Sequence, residues 1–292
     1  MSHVSSPRFA SPSASTIGRG PLGDDQLRRL APSAFAAHKH ESRSERYTYI
    51  PTSAVIDGLR ANGFEPTFAK QGRSRIPGKA DFTKHLIRFR RAGQAPALRG
   101  VGDTYPEVVL INSHDGTSAY QIMAGLFRLV CLNGMVAADR ELAAVKVPHK
   151  GDVVGQVIEG SHTVLEGSRR ALDQADAWAG VTLSHGEQLA FAEAVHDLRF
   201  GGDEPGETAT AIEPERMLTV RRREDHDRSL WVTANVLQEN AIRGGLTAWG
   251  RDANDRPRRV TTRPVNNIDQ DVKLNRALWV LGERMAQLKA AA

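Results

Sequence analysis

The sequence predicts an α+β fold, in which a small antiparallel β-meander is packed by a long crossing helix and continues into a mostly helical C-terminal extension. Two patterns predict this fold. Extended runs separated by turns rich in Gly and Pro occur at residues 64–70, 82–91 and 107–113. Apolar residues at helical spacing then occur over residues 119–130, which we expect to be the crossing helix, and over residues 154–179.

The other helices are predicted from their ends. One begins at Pro51-Thr52 and ends at Asn62-Gly63. Another opens at the capping box Ser184-His185-Gly186-Glu187, where a hydroxyl and a carboxylate satisfy the first backbone amides of the helix. A third covers residues 230–242 and is stopped by Gly244-Gly245.

The last predicted helix carries a regular apolar seam. Its members repeat at intervals of three and four residues, and they are Leu274, Leu278, Leu281, Met285 and Leu288. A stripe of this kind needs a partner surface, which is either the body of the protein or a second subunit. We therefore expect the seam to be buried, and we expect a homo-oligomer.

Composition divides the chain into three predicted regions. Residues 1–45 are rich in Ser, Pro, Ala and Gly, and we expect a disordered arm because such a segment buries too little surface to offset its ordering entropy. Residues 46–202 are predicted to form the α+β core with its basic strand. A run of Gly, Pro, Glu and Thr at residues 201–215 is typical of a linker, so residues 203–292 are predicted to be a linker and a helical C-terminal part.

Composition also excludes several classes of protein. The 292 residues are 40% hydrophobic and 25% charged, which is typical of a globular chain and not of a collagen-like or wholly disordered one. Cys131 is the single cysteine, so neither an intramolecular disulfide nor a thiolate zinc site can form, and a reducing cytoplasm is expected. The longest aliphatic run, residues 108–111, is far shorter than the roughly 20 residues of a membrane span.

Sequence motifs for common enzyme chemistry are missing. The chain has no Gly-x-x-x-x-Gly-Lys-Ser/Thr phosphate loop, no strand-to-helix Gly-x-Gly-x-x-Gly and no Gly-x-Ser-x-Gly elbow. Its ten histidines include no His-Glu-x-x-His pair of metal ligands. We therefore predict no cofactor, no metal ion and no catalytic residues, and we favour a binding protein over an enzyme.

Positive charge is concentrated between Lys70 and Arg99. Nine Lys and Arg residues face a single Asp there, an excess of eight, whereas the whole chain carries a net charge of +5. Because side chains alternate along a strand, Lys84, Arg88 and Arg90 share one face, while His85, Ile87 and Phe89 share the other and pack. The predicted nucleic-acid site comprises Lys70, Arg73, Arg75, Lys79, Lys84, Arg88, Arg90 and Arg91, with Phe64 and Phe68 as stacking platforms for bases. The alternative is a merely solvated strand face over core phenylalanines.

A second basic cluster is diluted by acidic residues, and a binding role and a structural role stay open for it. It comprises Arg221, Arg222, Arg223, Arg251, Arg256, Arg258, Arg259 and Arg263. The tryptophans near it, Trp231, Trp249 and Trp279, are expected to be core residues, because tryptophan is highly buried on average.

Three segments carry a resemblance to a known family. Residues 235–240 with Gly244-Gly245, residues 126–134 and residues 268–279 resemble the phage and plasmid-like proteins grouped as domain of unknown function nine-three-two. The resemblance runs from about Tyr47 to Leu288 and implies a mobile-element origin without an assigned activity.

The predicted order of elements also resembles, at the level of the fold, the single-strand annealing proteins of the Rad-fifty-two type. That resemblance implies binding of single-stranded DNA in the basic groove of an oligomeric ring, with Lys84, Arg88 and Arg90 as the strand bases.

Our first hypothesis is a mobile-element protein that binds nucleic acid, and specifically binds or anneals single-stranded DNA in recombination. A second hypothesis is a metal-dependent enzyme of nucleic-acid processing, in which Asp81, Glu107 and Asp115 gather around the ion. A third is a self-assembling scaffold without DNA affinity. A polar cluster, formed by Asn235, Gln238, Glu239 and Asn240, is either a site or a hydrogen-bonded interface.

Overall fold

The computed structural model describes residues 21–42, 49–74, 76–93, 104–128, 133–136, 144–201, 211–251 and 254–291. The chain divides into two compact units, each built from separate segments. Unit 1 takes its residues from 1–92, 109–121 and 146–159. Unit 2 takes its residues from 93–108, 122–145 and 160–292.

Strands and helices are both present, and the predicted α+β class is confirmed. Among the described residues, one six-stranded sheet has the order β1-β2-β3-β4-β5, with β6 paired to β4, and a separate two-stranded sheet is formed by β7 and β8. The strands are β1 Phe64–Gln71, β2 His85–Arg91, β3 Thr104–Asn112, β4 Tyr120–Arg128, β5 Asn133–Val136, β6 Val145–Val147, β7 Thr247–Arg251 and β8 Pro257–Thr261. The pairs β1–β2, β4–β5 and β7–β8 are antiparallel. The extended runs predicted from the sequence are thus β1, β2 and β3.

Six α-helices have their bounds within the described residues, and those of α2, α4 and α5 agree with the ends that the sequence predicts. They are α1 Asp24–Leu30, α2 Thr52–Ala61, α3 Val153–Ala179, α4 His185–Phe200, α5 Leu230–Arg243 and α6 Ile268–Ala291. Ser184 and Glu187 form the predicted capping box of α4. Gly244 ends α5 with φ 67°, a backbone conformation that favours glycine. In the described part of the chain, none of the helices combines the length and the apolar character that crossing a membrane requires.

The crossing helix predicted at residues 119–130 is wrong, because this segment forms strand β4. Eight of the nine residues of β4 are buried, so apolar side chains stand on both of its faces. A strand that is covered on both sides shows no polar alternation, and over so short a length its apolar positions also match a helical stripe. The long helix of the fold is α3, which the second stripe predicts.

The expectation of a disordered arm over residues 1–45 is wrong for residues 21–42, which the structure describes, whereas residues 1–20 lie outside the described residues. Helix α1 buries Leu27, and Leu22, Ala31 and Ala34 are also buried. The backbone amide of Leu22 donates to the carbonyl of Pro66 in β1 at 2.7 Å. The physical reason is that a few well-spaced apolar residues anchor a short helix even when the average composition of the segment is polar.

The apolar seam of α6 is buried over its first half. Leu274 and Leu278 are buried, Leu281 and Met285 are half-buried, and Leu288 is 67% exposed. The prediction that all five members are buried is therefore wrong for the C-terminal half. The buried stripe of α6 instead includes polar and small residues, and it comprises Ile268, Asp271, Leu274, Asn275, Leu278, Trp279 and Gly282.

Candidate nucleic-acid interface

The antiparallel pair of β1 and β2 places the predicted strand bases on one face. Phe68 lies opposite Arg88, and Lys70 lies opposite Leu86. Residues that are directly opposite in a pair, and residues two apart in a strand, share a face. Phe68, Lys70, Lys84, Arg88 and Arg90 therefore share a side of the pair, and we call these five residues the basic face. The buried Leu86 stands on the same side, and so does Glu65, which lies opposite Arg90.

The basic face is open at its ends and closed in the middle. The side chain of Phe68 is half-buried, and the guanidinium carbon of Arg88 lies 5.3 Å from the centroid of its ring, a cation–π contact. Arg88 is 8% exposed, whereas Lys70, Lys84 and Arg90 are half-exposed. The expectation that this whole face of β2 is open to phosphates is wrong at Arg88, because packing over Phe68 covers it.

The remaining predicted site residues fall in four different settings. Phe64 is fully buried on the opposite face, so its interpretation as a stacking platform is wrong and it is a core residue. The ammonium of Lys79 lies 3.4 Å from a carboxylate oxygen of Asp115 and is engaged in that ion pair. Arg91 is the exposed last residue of β2 and lies opposite Phe64, and Arg73 is exposed shortly after β1. Arg75 lies outside the described residues.

The carboxylates proposed for a metal centre have other surroundings. Asp115 accepts hydrogen bonds from the amide and the hydroxyl of Thr117, at 3.0 and 2.6 Å. Burial raises the pKa of Asp115, but the hydrogen bonds from Thr117 and Ser113 and the charge of Lys79 outweigh it and hold that pKa below its usual value. Among the residues described, no group of three or more His, Cys, Asp or Glu is placed to hold a metal ion. Asp81, Glu107 and Asp115 therefore do not form the centre that the enzyme hypothesis predicts.

A buried polar network, missed by the sequence analysis, lies on the opposite side of β2 within unit 1. The hydroxyl oxygen of Thr52, the first residue of α2, lies 3.0 Å from Nε2 of His85 and 3.1 Å from Nε2 of His114. The side-chain amide of Asn112 donates to the same oxygen at 3.0 Å, and the hydroxyl of Tyr120 lies 3.3 Å away. One threonine oxygen thus joins α2 to β2, β3 and β4.

The histidines of this network are neutral at pH 7. Burial, assisted by the neighbouring His114, lowers the pKa of His85 to about 3. Burial and the nearby His149 lower the pKa of His114 to about 4, against the opposing charge of Asp115. A neutral imidazole both donates and accepts, which suits a buried hydrogen-bonded network. The arrangement stabilises unit 1, and the sequence holds no signal for it because the partners lie up to 68 residues apart.

The second basic cluster divides into two parts with different surroundings. Arg222 makes a two-pronged contact with the buried carboxylate of Glu239, at 2.8 and 2.7 Å, and also pairs with Asp225 at 2.8 Å. Asp225 in turn pairs with the buried Arg128 at 2.7 Å. Arg221 donates to the side-chain oxygen of Asn240. These arginines neutralise internal carboxylates of unit 2, whereas Arg251, Arg256, Arg258 and Arg259 are exposed on β7, β8 and their connection.

The polar cluster of α5 is a hydrogen-bonded interface. The amide of Gln238 donates to Asn275 of α6 at 2.8 Å, and the amide of Asn240 donates to the carbonyl of Met217 at 2.8 Å. The amide of Asn235 donates to the carbonyl of Trp231 within α5. All four residues of the cluster are buried, which settles the choice that the sequence left open.

Comparison with known proteins places the chain among bacterial relatives. A family model described as "Domain of unknown function (DUF932)" matches residues 39–279. The chain is 48% identical over 265 residues to "UPF0380 protein YafZ" of Escherichia coli (strain K12), an alignment covering 91% of this chain and 92% of that protein. It is 47% identical, with the same coverage, to "UPF0380 protein YfjQ" of the same organism.

The fold-level likeness to annealing proteins of the Rad-fifty-two type gains no support, since no solved structure matches the chain. The family resemblance that the three sequence segments predict is confirmed over most of the chain. The chain belongs to the DUF932 family.

Proposed function

We propose that this protein binds single-stranded nucleic acid through the basic face, in the handling of single-stranded DNA during recombination of phage- or plasmid-like elements. The observation that supports this function best is the environment of the Phe68 side chain. Its half-buried ring is held against Arg88, and Lys70 lies two residues along the same face. An aromatic ring flanked by cations offers a base a stacking partner and its phosphates a counter-charge.

A single strand fits this face better than a duplex. A stacking ring can be reached by a base that is unpaired, whereas paired bases show their edges in the grooves. The expected preference is therefore for unpaired strands, with little dependence on base sequence.

The test combines a basic-face variant with a matched control. Replacing Lys70, Lys84 and Arg90 with Ala removes three half-exposed cations and leaves the buried Arg88 in place. Each phosphate contact with a single strand contributes about 0.7 to the slope of log affinity against log salt, so this slope should become shallower by about 2. The control variant replaces Lys273, Arg276 and Arg284, which are exposed on α6, with Ala. Its slope of log affinity against log salt should equal that of the parent. Equal losses in both variants would contradict a specific face and indicate an effect of net charge alone.

Phe68 should show a different signature. Phe68→Ala removes a stacking surface without removing a cation, so affinity for single strands should fall by about 1–3 kcal/mol while the salt slope stays unchanged. Phe68→Tyr keeps an aromatic ring and should bind like the parent. Circular dichroism and thermal melting of both variants establish that the fold survives. Parent-like affinity of a folded Phe68→Ala protein would exclude stacking at this ring.

A further inference from the structure

The β7–β8 hairpin of unit 2 exposes a tryptophan that the sequence analysis places in the core. Trp249 is 75% exposed, whereas Trp178, Trp231 and Trp279 are buried. In the antiparallel register, Trp249 lies opposite Arg259 and Ala248 lies opposite Val260. Val260 is buried. Trp249 and Arg259 therefore stand on the outer face of the hairpin, and Val260 anchors the inner face.

The base of the hairpin is fixed by hydrogen bonds. The backbone amide of Thr262 donates to the carbonyl of Leu246 at 2.8 Å, and the backbone amide of Leu246 donates to the side-chain hydroxyl of Thr262 at 2.9 Å. The guanidinium of Arg216 donates to the carbonyl of Thr247 at 3.2 Å. The exposed indole is thus carried on a hairpin whose base is fixed by hydrogen bonds.

Charge on the hairpin is strongly positive. Residues 247–263 contain five arginines, two aspartates and no lysine or glutamate. Arg251 forms an ion pair with Asp255 at 2.9 Å, with both side chains largely in solvent, where such a pair is worth little. Arg258 and Arg259 are exposed on β8. This part of the second basic cluster differs from Arg222, which is engaged with two internal carboxylates.

We propose that the β7–β8 hairpin is a second nucleic-acid contact. An unpaired base stacks on Trp249, and Arg259 together with the neighbouring arginines contacts the adjacent phosphates. Indole offers a large aromatic face for stacking, and a guanidinium suits a phosphate because its planar donors match the phosphate oxygens. The proposal takes its ligand class from the proposed function, but it rests on different residues in a different unit.

A second copy of the chain fits the hairpin less well than a polyanion does. Pairing two such hairpins would bring two sets of arginines together, and like charges placed opposite each other oppose association. An acidic partner protein would satisfy the charge, but it would leave no particular role for a flat, exposed indole beside the arginines. Self-association and a protein partner are therefore outcomes that the test separates.

Trp249 itself supplies the readout. With the other three tryptophans buried, the solvent-exposed part of the fluorescence comes from this residue, and it should be quenched when an oligothymidylate is added to the full chain. Trp249→Ala should remove the quenching and weaken binding by roughly ten-fold or more, as expected for one stacked base. Trp249→Phe should restore most of the affinity, and Arg259→Ala should make the salt slope shallower by about 0.7. The control is Leu288→Ala, which shortens another exposed apolar side chain and should change nothing.

The outcomes separate this inference from the proposed function. If an oligonucleotide binds in a mobility-shift assay while the emission of Trp249 is unchanged, the hairpin contact is overturned and the proposed binding at the basic face is unaffected. Quenching of Trp249 that persists in the basic-face variant supports the hairpin contact, even if the basic face proves not to bind nucleic acid. An increase of mass with concentration that Trp249→Ala abolishes, without quenching by oligonucleotide, would identify a protein interface and overturn the proposal.

Discussion

Thr52 shows how one polar atom organises the interior of unit 1. Its hydroxyl oxygen lies within hydrogen-bonding distance of His85, His114, Asn112 and Tyr120. His85 is also 2.8 Å, through its other ring nitrogen, from the hydroxyl of Ser33. Leaving a buried polar group without a partner costs about 1–3 kcal/mol, so each member of such a network depends on the others.

We predict that acid destabilises unit 1 through these histidines. The folded-state pKa values, about 3 for His85 and about 4 for His114, lie below the ordinary value of 6.5. Below pH 6.5 the unfolded chain therefore binds protons that the folded chain excludes, and stability falls as the pH drops toward 4. At pH 5 the loss is about 2 kcal/mol for each histidine. Urea unfolding at pH 7 and pH 5 measures this loss.

Two variants assign the acid sensitivity to the network. His85→Gln removes one buried titrating group and should make the change between pH 7 and pH 5 smaller. His185→Gln removes an exposed histidine, whose ring lies 3.8 Å from Glu215 at the surface, and should leave the change as in the parent. Stability that is the same at pH 5 and pH 7 in the parent would contradict the burial of neutral histidines.

Among the helices of unit 2, a cluster of three tryptophans forms the main packing element. Trp178 of α3 lies 4.8 Å from Trp279 of α6 and 6.4 Å from Trp231 of α5, measured between ring centroids. Gly282 of α6 provides the space for the Trp178 ring, because a Cβ atom at this position would lie 2.5 Å from a ring carbon. The absence of a side chain at Gly282 is therefore required for α6 to pack against Trp178.

We predict that Gly282→Ala destabilises unit 2. The added methyl group must displace a buried indole, and overpacking of this kind costs about 1–3 kcal/mol. Gly186→Ala is the matched control, because a Cβ atom at that position of α4 meets nothing within 4 Å. The control should stabilise by up to about 1 kcal/mol, since alanine loses less backbone freedom than glycine. Denaturant midpoints, followed by tryptophan fluorescence, compare the two. A Gly282→Ala protein as stable as the parent would show that Trp178 moves freely.

Local sequence signals predict elements well when the signal and its cause are both local. The capping box at Ser184 fixes the start of α4, and Gly244 fixes the end of α5. Strand β4 is assigned wrongly because its identity depends on neighbours on both faces, which the sequence does not show. Helix α1 is missed because part of its anchoring comes from far along the chain, where the carbonyl of Pro66 in β1 accepts a hydrogen bond from the amide of Leu22, just before the helix. Tertiary packing decides these cases over local pattern.

For the whole molecule, net charge says less than the distribution of charge. Charge density along the sequence finds the basic face, but it cannot distinguish Arg88, which packs on Phe68, from Lys84, which is half-exposed. It also cannot distinguish Arg222, which is engaged with Glu239, from Arg259 on the hairpin. Trp249 is missed for the same reason, since exposure is a property of the fold.

The most direct test of nucleic-acid binding is the salt dependence of affinity of the full chain for a labelled oligothymidylate of about 30 nucleotides. We predict tight binding at about 50 mM salt and a log–log slope steeper than about −2, which corresponds to at least three phosphate contacts. A duplex of the same length should bind more weakly, and an oligonucleotide of mixed sequence should bind equally well. Absence of binding at about 50 mM salt, or an affinity independent of salt, would contradict the account and leave the basic face as a solvated strand surface.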